Sequence, residues 1–565
     1  MKLSSSLLMM FLAATSFAAE DLIWKANASK VLPYSWLKKS VDNNMDVFTI
    51  NGNQPTRMLE VKFPEINNLP KDTIAVFAAD VAQENVSQLK QVFFGAKLIA
   101  SQKRTNNKWY HPQSYGKSGS HDWIATEVPF KTKDVNTFLP TIAFERATGI
   151  VKFRNVRLIS MKNYENYTVT GMTSNPGGVY KVGEEIKFNF KILNNQKPVA
   201  GKLFLTIKKD FAPTTTKILT VTSEKPAVYT DKLDKPGSIM VIANFITDQN
   251  AKGYRFGRAK DIRPIAYGLG AVCAPETFKQ GAKEPADFDA FWLDQLTKLA
   301  KVPMTVLEKK QLPDKNGCLV YDMKIKCLGK RPASGYLTIP KNAKAKSLPI
   351  RMIYQGYSYE GAQTVTANPK EITFRVNAHG IPNGMPASYY AKLGNTELKG
   401  YGFDNKTNSD REKTYFNGMI LRDLRALQYA KTLPQWNGKD IISDGGSQGG
   451  LQSIAISGLD KQVTFCTTQV PWFCDIGGVT IGRIRGWRPD YYPSLDYYDP
   501  VNFAKRSNAK FFIDAGLIDE VCPPTGVWIL YNNIKHGKMV MHQGYNHRVY
   551  FGYVARTSGR TTLVK

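Results

Sequence analysis

Over the first third of the chain, apolar residues recur at every second position in short runs separated by Asn, Gly, Lys and Pro. "MLEVKF", "TIAVFAADV", "TIAFERA" and the closing "GIVKFRNVRLISM" keep this rhythm between Glu20 and about Met161. A period of two sends alternate side chains to opposite faces of a strand, so the pattern predicts a β-sandwich. Helix is expected there only as a turn near Gln83 to Gln91. From Tyr164 to about Pro264 the alternation continues in "EEIKFNFKIL", "GKLFLTIKK" and "SIMVIANFI". Short strands over roughly 100 residues predict a second, immunoglobulin-like sandwich. It offers no catalytic constellation and reads as a spacer.

After "DIRPIAYGLGAVCAPE" the period lengthens. In "EPADFDAFWLDQLTKLAKV" the residues Phe288, Trp292, Leu296 and Leu299 repeat near 3.6, with acidic residues in the first turn, which predicts a helix. Apolar runs ("LPIRMIYQG", "DIISDGG", "VTFCTTQV", "KFFIDAG", "KMVMHQ") then alternate with helical ones ("NGMILRDLRALQYAKTL", "GGLQSIAISG", "TGVWILYNNIK"). Strand–helix alternation predicts an α/β domain with a mostly parallel sheet. The expected organisation is therefore a leader over 1–18, sandwiches over 19–163 and 164–265, and an α/β domain over 266–565.

Length agrees with this division, since 565 residues exceed what one hydrophobic core supports. The leader "MKLSSSLLMMFLAATSFA" joins Lys2 to an apolar stretch from Leu7 to Phe17 and a small-x-small site at Ser16 to Ala18. This is the pattern of a cleaved signal peptide, shorter than the roughly 20 apolar residues of a membrane span. No later run is long and apolar enough to span, and no cysteine follows the cleavage site. Export to the periplasm or beyond the cell is expected. The net charge of +29 has no dense Lys/Arg block and comes with no nucleic-acid motif, so it is read as solubility and electrostatic steering. Six cysteines lack a CxxC pair, and neither they nor the histidines have zinc-site spacing. Cys318 and Cys327 bound one predicted strand and lie too far apart to pair.

The chemistry concentrates in "ISDGGSQGGL". Gly445 to Gly449 fit G-x-S-x-G between a predicted strand and a predicted helix, the context in which a tight turn lifts a serine hydroxyl clear of a sheet. Ser447 is the expected nucleophile of an α/β-hydrolase fold. Its base should be a later histidine, with an orienting carboxylate between them in sequence. Three histidines follow. His536 precedes the last predicted strand, His542 lies within it, and His547 follows it in "GYNHRV", on the carboxyl edge where a base is needed. Asp514 falls inside "FFIDAG", whereas Asp519 lies in the loop after it, beside Glu520. Asp519 and His547 are the expected partners. Oxyanion amides are expected from Gln448 and from the loop after "RMIYQG", at Tyr357. No metal or cofactor is called for.

"GGSQGG", "GLIDEVCPP", "YQGY" and the helix "DFDAFW" together resemble the acetyl xylan esterase / cephalosporin C deacetylase family over roughly residues 270 to 555. The resemblance implies a triad at Ser447, Asp519 and His547, oxyanion amides at Tyr357 and Gln448, and hexameric rings that two extra N-terminal domains could permit or block. The family's Arg-Gly-Gln is absent, with "NAHGIPNG" near its place, and its His-Glu becomes His547-Arg548. Cys474 and Cys522 follow strands expected to be neighbours. Either a disulfide beside the site or two buried thiols would fit.

Gly-x-Val-x-Phe-x-x-Val in "GIVKFRNV" resembles the last strand of jelly-roll carbohydrate-binding modules. Trp24, Trp36, Trp109, Tyr110 and Trp123 are either a sugar platform or buried sandwich aromatics, and "NNKWYHPQSYGKSGSHDW" is the expected binding loop. The sequence thus predicts a secreted serine carbohydrate esterase that removes O-acetyl groups from polysaccharide or oligosaccharide through an acyl-enzyme. A broad esterase or serine peptidase of the same fold, and a non-catalytic polysaccharide-binding protein, are the alternatives.

Overall fold

The computed structural model describes residues 21–52, 58–88, 94–114, 116, 119–161, 163–247, 251–256, 262–363, 367–547 and 561–564; the expected leader over 1–18 and Arg548 lie outside them. The chain forms two compact units. One takes in the described residues up to Thr168 with Leu193–Lys197 and Asn244–Ile265; the other takes in Val169–Ile192, Pro198–Ala243 and the chain from Ala266 onward.

In the first unit a six-stranded antiparallel sheet contains Met45–Gly52, Ile74–Gln88, Gly119–Lys131 and Ala147–Met161. A four-stranded sheet contains Met58–Lys62, Gly95–Arg104 and Val135–Glu145. Phe48, Phe77 and Phe153 from the first sheet share one apolar core with Leu98, Phe138 and Ile142 from the second. The turn expected near Gln83 is strand as far as Gln88. The polar break there is a β-bulge, with the pairing register shifting between Gln83 and Val86 and Asn85 at φ +51°.

The segment expected as a separate spacer divides between the two units. Its alternation is clear in Ile186–Asn194, where Ile186, Phe188, Phe190 and Ile192 are buried while Lys187 and Lys191 are exposed. A five-stranded sheet in this region includes Gly201–Lys209, Gly237–Ile246 and the strand Ala266–Cys273.

The α/β part carries a ten-stranded sheet. Its strands are β1 (Val306–Lys315), β2 (Cys318–Ile325), β3 (Ala333–Pro340), β4 (Leu348–Tyr354), β5 (Ile372–Asn377), β6 (Trp436–Gly446), β7 (Phe465–Gln469), β8 (Lys510–Gly516), β9 (His536–His542) and β10 (Thr561–Val564). They lie in the order 1-2-3-5-4-6-7-8-9-10. From β5 across β4, β6, β7 and β8 to β9 every pairing is parallel, and the pairings outside that stretch are antiparallel. The main helices are α1 (Phe288–Ala300), α2 (Tyr415–Ala430), α3 (Gln448–Leu459) and α4 (Pro524–Asn532). α3 is buried from Gln448 through Gly458, with its Gln452, Ser453 and Ser457 side chains donating to backbone carbonyls. Parallel strands end together, so the segments after β4, β6, β8 and β9 share one edge of the sheet, the usual ligand edge of α/β sheets.

Candidate active site

β6 ends at Gly446 and α3 begins at Gln448, so Ser447 alone makes the turn. Its φ of +57° with ψ of −121° is a conformation that costs a non-glycine residue roughly 1–3 kcal/mol. The neighbourhood holds it there. Ser447 N–H donates to the Gln469 carbonyl at 2.9 Å, and the Ser447 carbonyl accepts from Gly450 at 2.8 Å and Trp472 at 3.0 Å. The flanking glycines are steric necessities. A Cβ on Gly445 would lie 2.3 Å from the Gly449 carbonyl oxygen, and one on Gly449 would lie 2.3 Å from that of Tyr354. The serine thus opens a buried helix whose first amides lack intrahelical acceptors and carry partial positive charge.

Asp519 follows β8 and is fully buried. One carboxylate oxygen accepts the Val521 and Cys522 amides, each at 2.8 Å, and the other lies 2.9 Å from His547 Nδ1. Three contacts therefore fix the carboxylate and aim the imidazole. Glu520 points elsewhere, its carboxylate half-exposed and paired with Lys208. His536 stands exposed at the start of β9, on the opposite edge of the sheet. A second acid–base pair exists: His542 Nε2, at the end of β9, lies 3.0 Å from Oδ1 of Asp514, within β8.

Cys522, which the sequence left as either half of a disulfide or a separate buried thiol, ties Ser447 to the Asp519–His547 pair. Its thiol lies close enough to the Ser447 side chain for that serine to ease the thiol's raised pKa, and its sulfur, an Asp519 oxygen and a His547 nitrogen lie within 4.8 Å of one another. Those three atoms are the only cluster of metal-ligand type among the described residues. The thiol is ill suited to that role, because burial, and then the Asp519 charge, push its pKa well above the ordinary range. The disulfide is not formed: Cys474 and Cys522 are both buried free thiols, and Cys474 Sγ donates to the Pro471 carbonyl at 3.6 Å.

Tyr357 and Gln448 meet the same corner. The loop after β4 lies against the elbow, where Gln452 Nε2 donates to the Gln355 carbonyl at 2.9 Å. Tyr357 stacks its ring on Tyr401 at 4.3 Å and receives the edge of Trp487 at 4.7 Å. Tyr401 bridges the two segments that carry the expected amide donors, its hydroxyl accepting from Ser358 N at 3.2 Å and donating to Gln448 Oε1 at 3.0 Å. In "NAHGIPNG", where the family's Arg-Gly-Gln is missing, His379 secures the same loop. Burial, aided by Arg422 and Arg331, lowers its pKa to about 3, so the ring is neutral. Its Nε2–H donates to the Ser358 carbonyl and its Nδ1 accepts from the Tyr415 hydroxyl. No motif announces Tyr401 or His379, because each acts through contacts distant in sequence.

Residues 274–481 and 488–559 match the family model "Acetyl xylan esterase (AXE1)". Acetyl esterase Axe7A of Xylanibacter ruminicola is 32% identical over 279 residues, which cover 46% of this chain; the chain spans 63% of that relative's length. An acetyl xylan esterase from Paenibacillus sp. R4 aligns with a TM-score of 0.39 and 21% identity over 48% of this chain and 93% of its own. Acetyl xylan esterase 1 from Thermoanaerobacterium sp. JW/SL YS485 aligns with a TM-score of 0.39 and 19% identity over 48% and 92%. The C-terminal half of the chain is a domain of the acetyl xylan esterase family.

Proposed function

We propose that this protein is an exported serine esterase that removes O-acetyl groups from polysaccharide or oligosaccharide. The observation that carries the reading is the buried Asp519–His547 pair beside a strained Ser447, inside an acetyl xylan esterase domain. Ser447 Oγ attacks the acetyl carbonyl while His547 takes its proton, and the Gln448 and Tyr357 amides receive the oxyanion. His547 then protonates the leaving sugar oxygen. Water attacks the acyl-enzyme with His547 again as base, releasing acetate.

Ser447→Ala should lower acetate release from acetylated xylan and from p-nitrophenyl acetate by at least about 10⁴-fold. Unchanged turnover in that variant would overturn the assignment. A panel of longer acyl esters and peptide amides separates an acetyl esterase from a broad esterase or peptidase.

The N-terminal unit is read as a jelly-roll-like sandwich over 19–163 that holds the polymer, followed by an immunoglobulin-like segment over 164–265. A groove of about 390 Å³ on the six-stranded sheet favours this role. Glu84, His121, Asp122, Trp123 and Lys152 line it, with the Arg154 guanidinium 4.1 Å from the Trp123 ring centre. Polar groups around an aromatic suit a sugar ring. Trp123→Ala should abolish retardation on acetylated xylan gels and leave p-nitrophenyl acetate hydrolysis unchanged. Equal mobility of variant and wild type in xylan would remove this site.

A further inference from the structure

Both loops that carry the acid and the base rest on the β segment that precedes the α/β domain, within the same compact unit. Asp210 follows the strand Gly201–Lys209 and is buried. One of its oxygens accepts Ser238 N at 2.8 Å, Ser238 Oγ at 2.9 Å and Thr525 Oγ1 at 2.5 Å. The other accepts Ile484 N at 2.8 Å. Thr525 sits in the first turn of α4, six residues after Asp519, while Lys208 pairs with Glu520, the residue next to that aspartate. On the other side of Asp519, the glycines of "AYGLGAVC" let the chain approach closely. A Cβ on Gly270 would lie 2.4 Å from the Leu517 carbonyl oxygen, and one on Gly268 would lie 2.2 Å from Ile518 Cδ1.

The base loop has its own anchor. Gln543, buried between β9 and His547, accepts Gly270 N at 2.7 Å and donates to Thr173 Oγ1 at 3.1 Å. Ile484 opens a stretch in which Trp487 N donates to the Val521 carbonyl at 3.0 Å and Trp487 meets Tyr357 edge-on. Thus one buried carboxylate holds the acid loop and the aromatic wall of the oxyanion loop, and one buried amide holds the base loop.

We propose that this β segment is a footing for the catalytic pair, with Asp210–Thr525 and Gln543 as positioning residues that set the Asp519–His547 geometry. A spacer would need no buried charged or amide contacts with those loops, and such groups are costly to bury unless they are paired. The proposal rests on the triad reading above.

The test uses the full-length protein with four substitutions: Thr525→Val, Thr525→Ser, Gln543→Leu and, as control, Ser447→Ala. Displacing a catalytic pair by about 1 Å costs on the order of 10²-fold, so Thr525→Val and Gln543→Leu should lower kcat roughly 10- to 100-fold on p-nitrophenyl acetate. KM should change less than about threefold, because binding is untouched. The acidic limb of the kcat/KM profile should shift to lower pH, since a base that loses its aligned carboxylate is less basic. Thr525→Ser, which keeps the hydroxyl, should restore rate and profile. Folded variants with wild-type kcat and an unmoved acidic limb would overturn the proposal, even if their melting temperature fell. Should Gln543→Leu fail to fold, the Thr525 pair decides by the same criteria. Loss of activity in Ser447→Ala alongside unaffected Thr525→Val and Gln543→Leu sinks the footing and spares the triad; an active Ser447→Ala sinks the triad reading itself.

Discussion

Cys522 stands against Ser447 and beside the Asp519–His547 pair, so which group attacks is a question of acidity and position. A thiol is a nucleophile as thiolate, and burial with the nearby Asp519 charge holds this one protonated. In the proposed mechanism Ser447 needs no ionised ground state, only a base to take its proton as it attacks. Iodoacetamide at pH 8 should therefore leave esterase activity intact and Cys522 unmodified in a peptide map, whereas an alkyl phosphonate should inactivate and label Ser447. Parallel loss of activity and alkylation of Cys522 would reverse the assignment. The turn at Ser447 was legible because the glycines around it record steric limits in a short run of sequence. The places of Asp519 and His547 were legible because each follows a strand that the apolar pattern had already placed. For Cys522 the sequence left a disulfide with Cys474 and two buried thiols both open, and the second holds; spacing shows that two thiols fall on neighbouring strand ends, but not where each sulfur points.

At the scale of elements, the proposed mechanism needs the loop after β4 and the start of α3 to stay in register, so that two amides converge on one oxygen. Tyr401 provides that tie through Ser358 N and Gln448 Oε1. Tyr401→Phe keeps the stack on Tyr357 but removes both bonds. It should lower kcat about 10-fold with KM little altered, the mark of an interaction used in the transition state. Steady-state kinetics on p-nitrophenyl acetate check this, and a rise in KM at constant kcat would place Tyr401 in substrate binding instead. Gly449 is the complementary case. Gly449→Ala would force a carbon to 2.3 Å from a β4 carbonyl, so β4 and α3 must part. This variant should accumulate at well under wild-type soluble yield, and a normal yield with full activity would refute the steric reading. The periods of 2 and 3.6 placed these strands and helices well in the sequence. They said nothing of the Asp210, Gln543 and His379 contacts, because hydrogen bonds between distant segments leave no period.

For the whole molecule, buried ionisable groups pull stability in opposite directions with pH, and two variants can separate them. His379 is buried with its pKa lowered to about 3, so the unfolded chain takes up a proton below about 6.5 that the folded one refuses. Its contribution is therefore present above pH 6.5 and lost as pH falls toward 3. Asp499 behaves in the opposite sense. Burial, then the nearby Asp475 charge, raise its pKa to about 7, overcoming amide bonds from Asp475, Ile476 and Val501. The folded state keeps a proton that the unfolded state releases above about 3.9, so this contribution is present at low pH and lost as pH rises toward 7. The slopes have similar size, at most about 1.4 kcal/mol per pH unit each, and they cancel over much of pH 4 to 6.5 in the native protein. Measured by urea midpoints at each pH, the stability gap between wild type and His379→Gln should narrow as pH falls from 6.5 to 4. The gap between wild type and Asp499→Asn should narrow as pH rises across the same interval. Parallel curves for wild type and both variants would show that neither group changes protonation on folding. If the His379→Gln gap widened at low pH, the imidazole would have to be charged in the folded protein. It could not then accept from Tyr415 while donating to Ser358, and the loop after β4 would need another anchor.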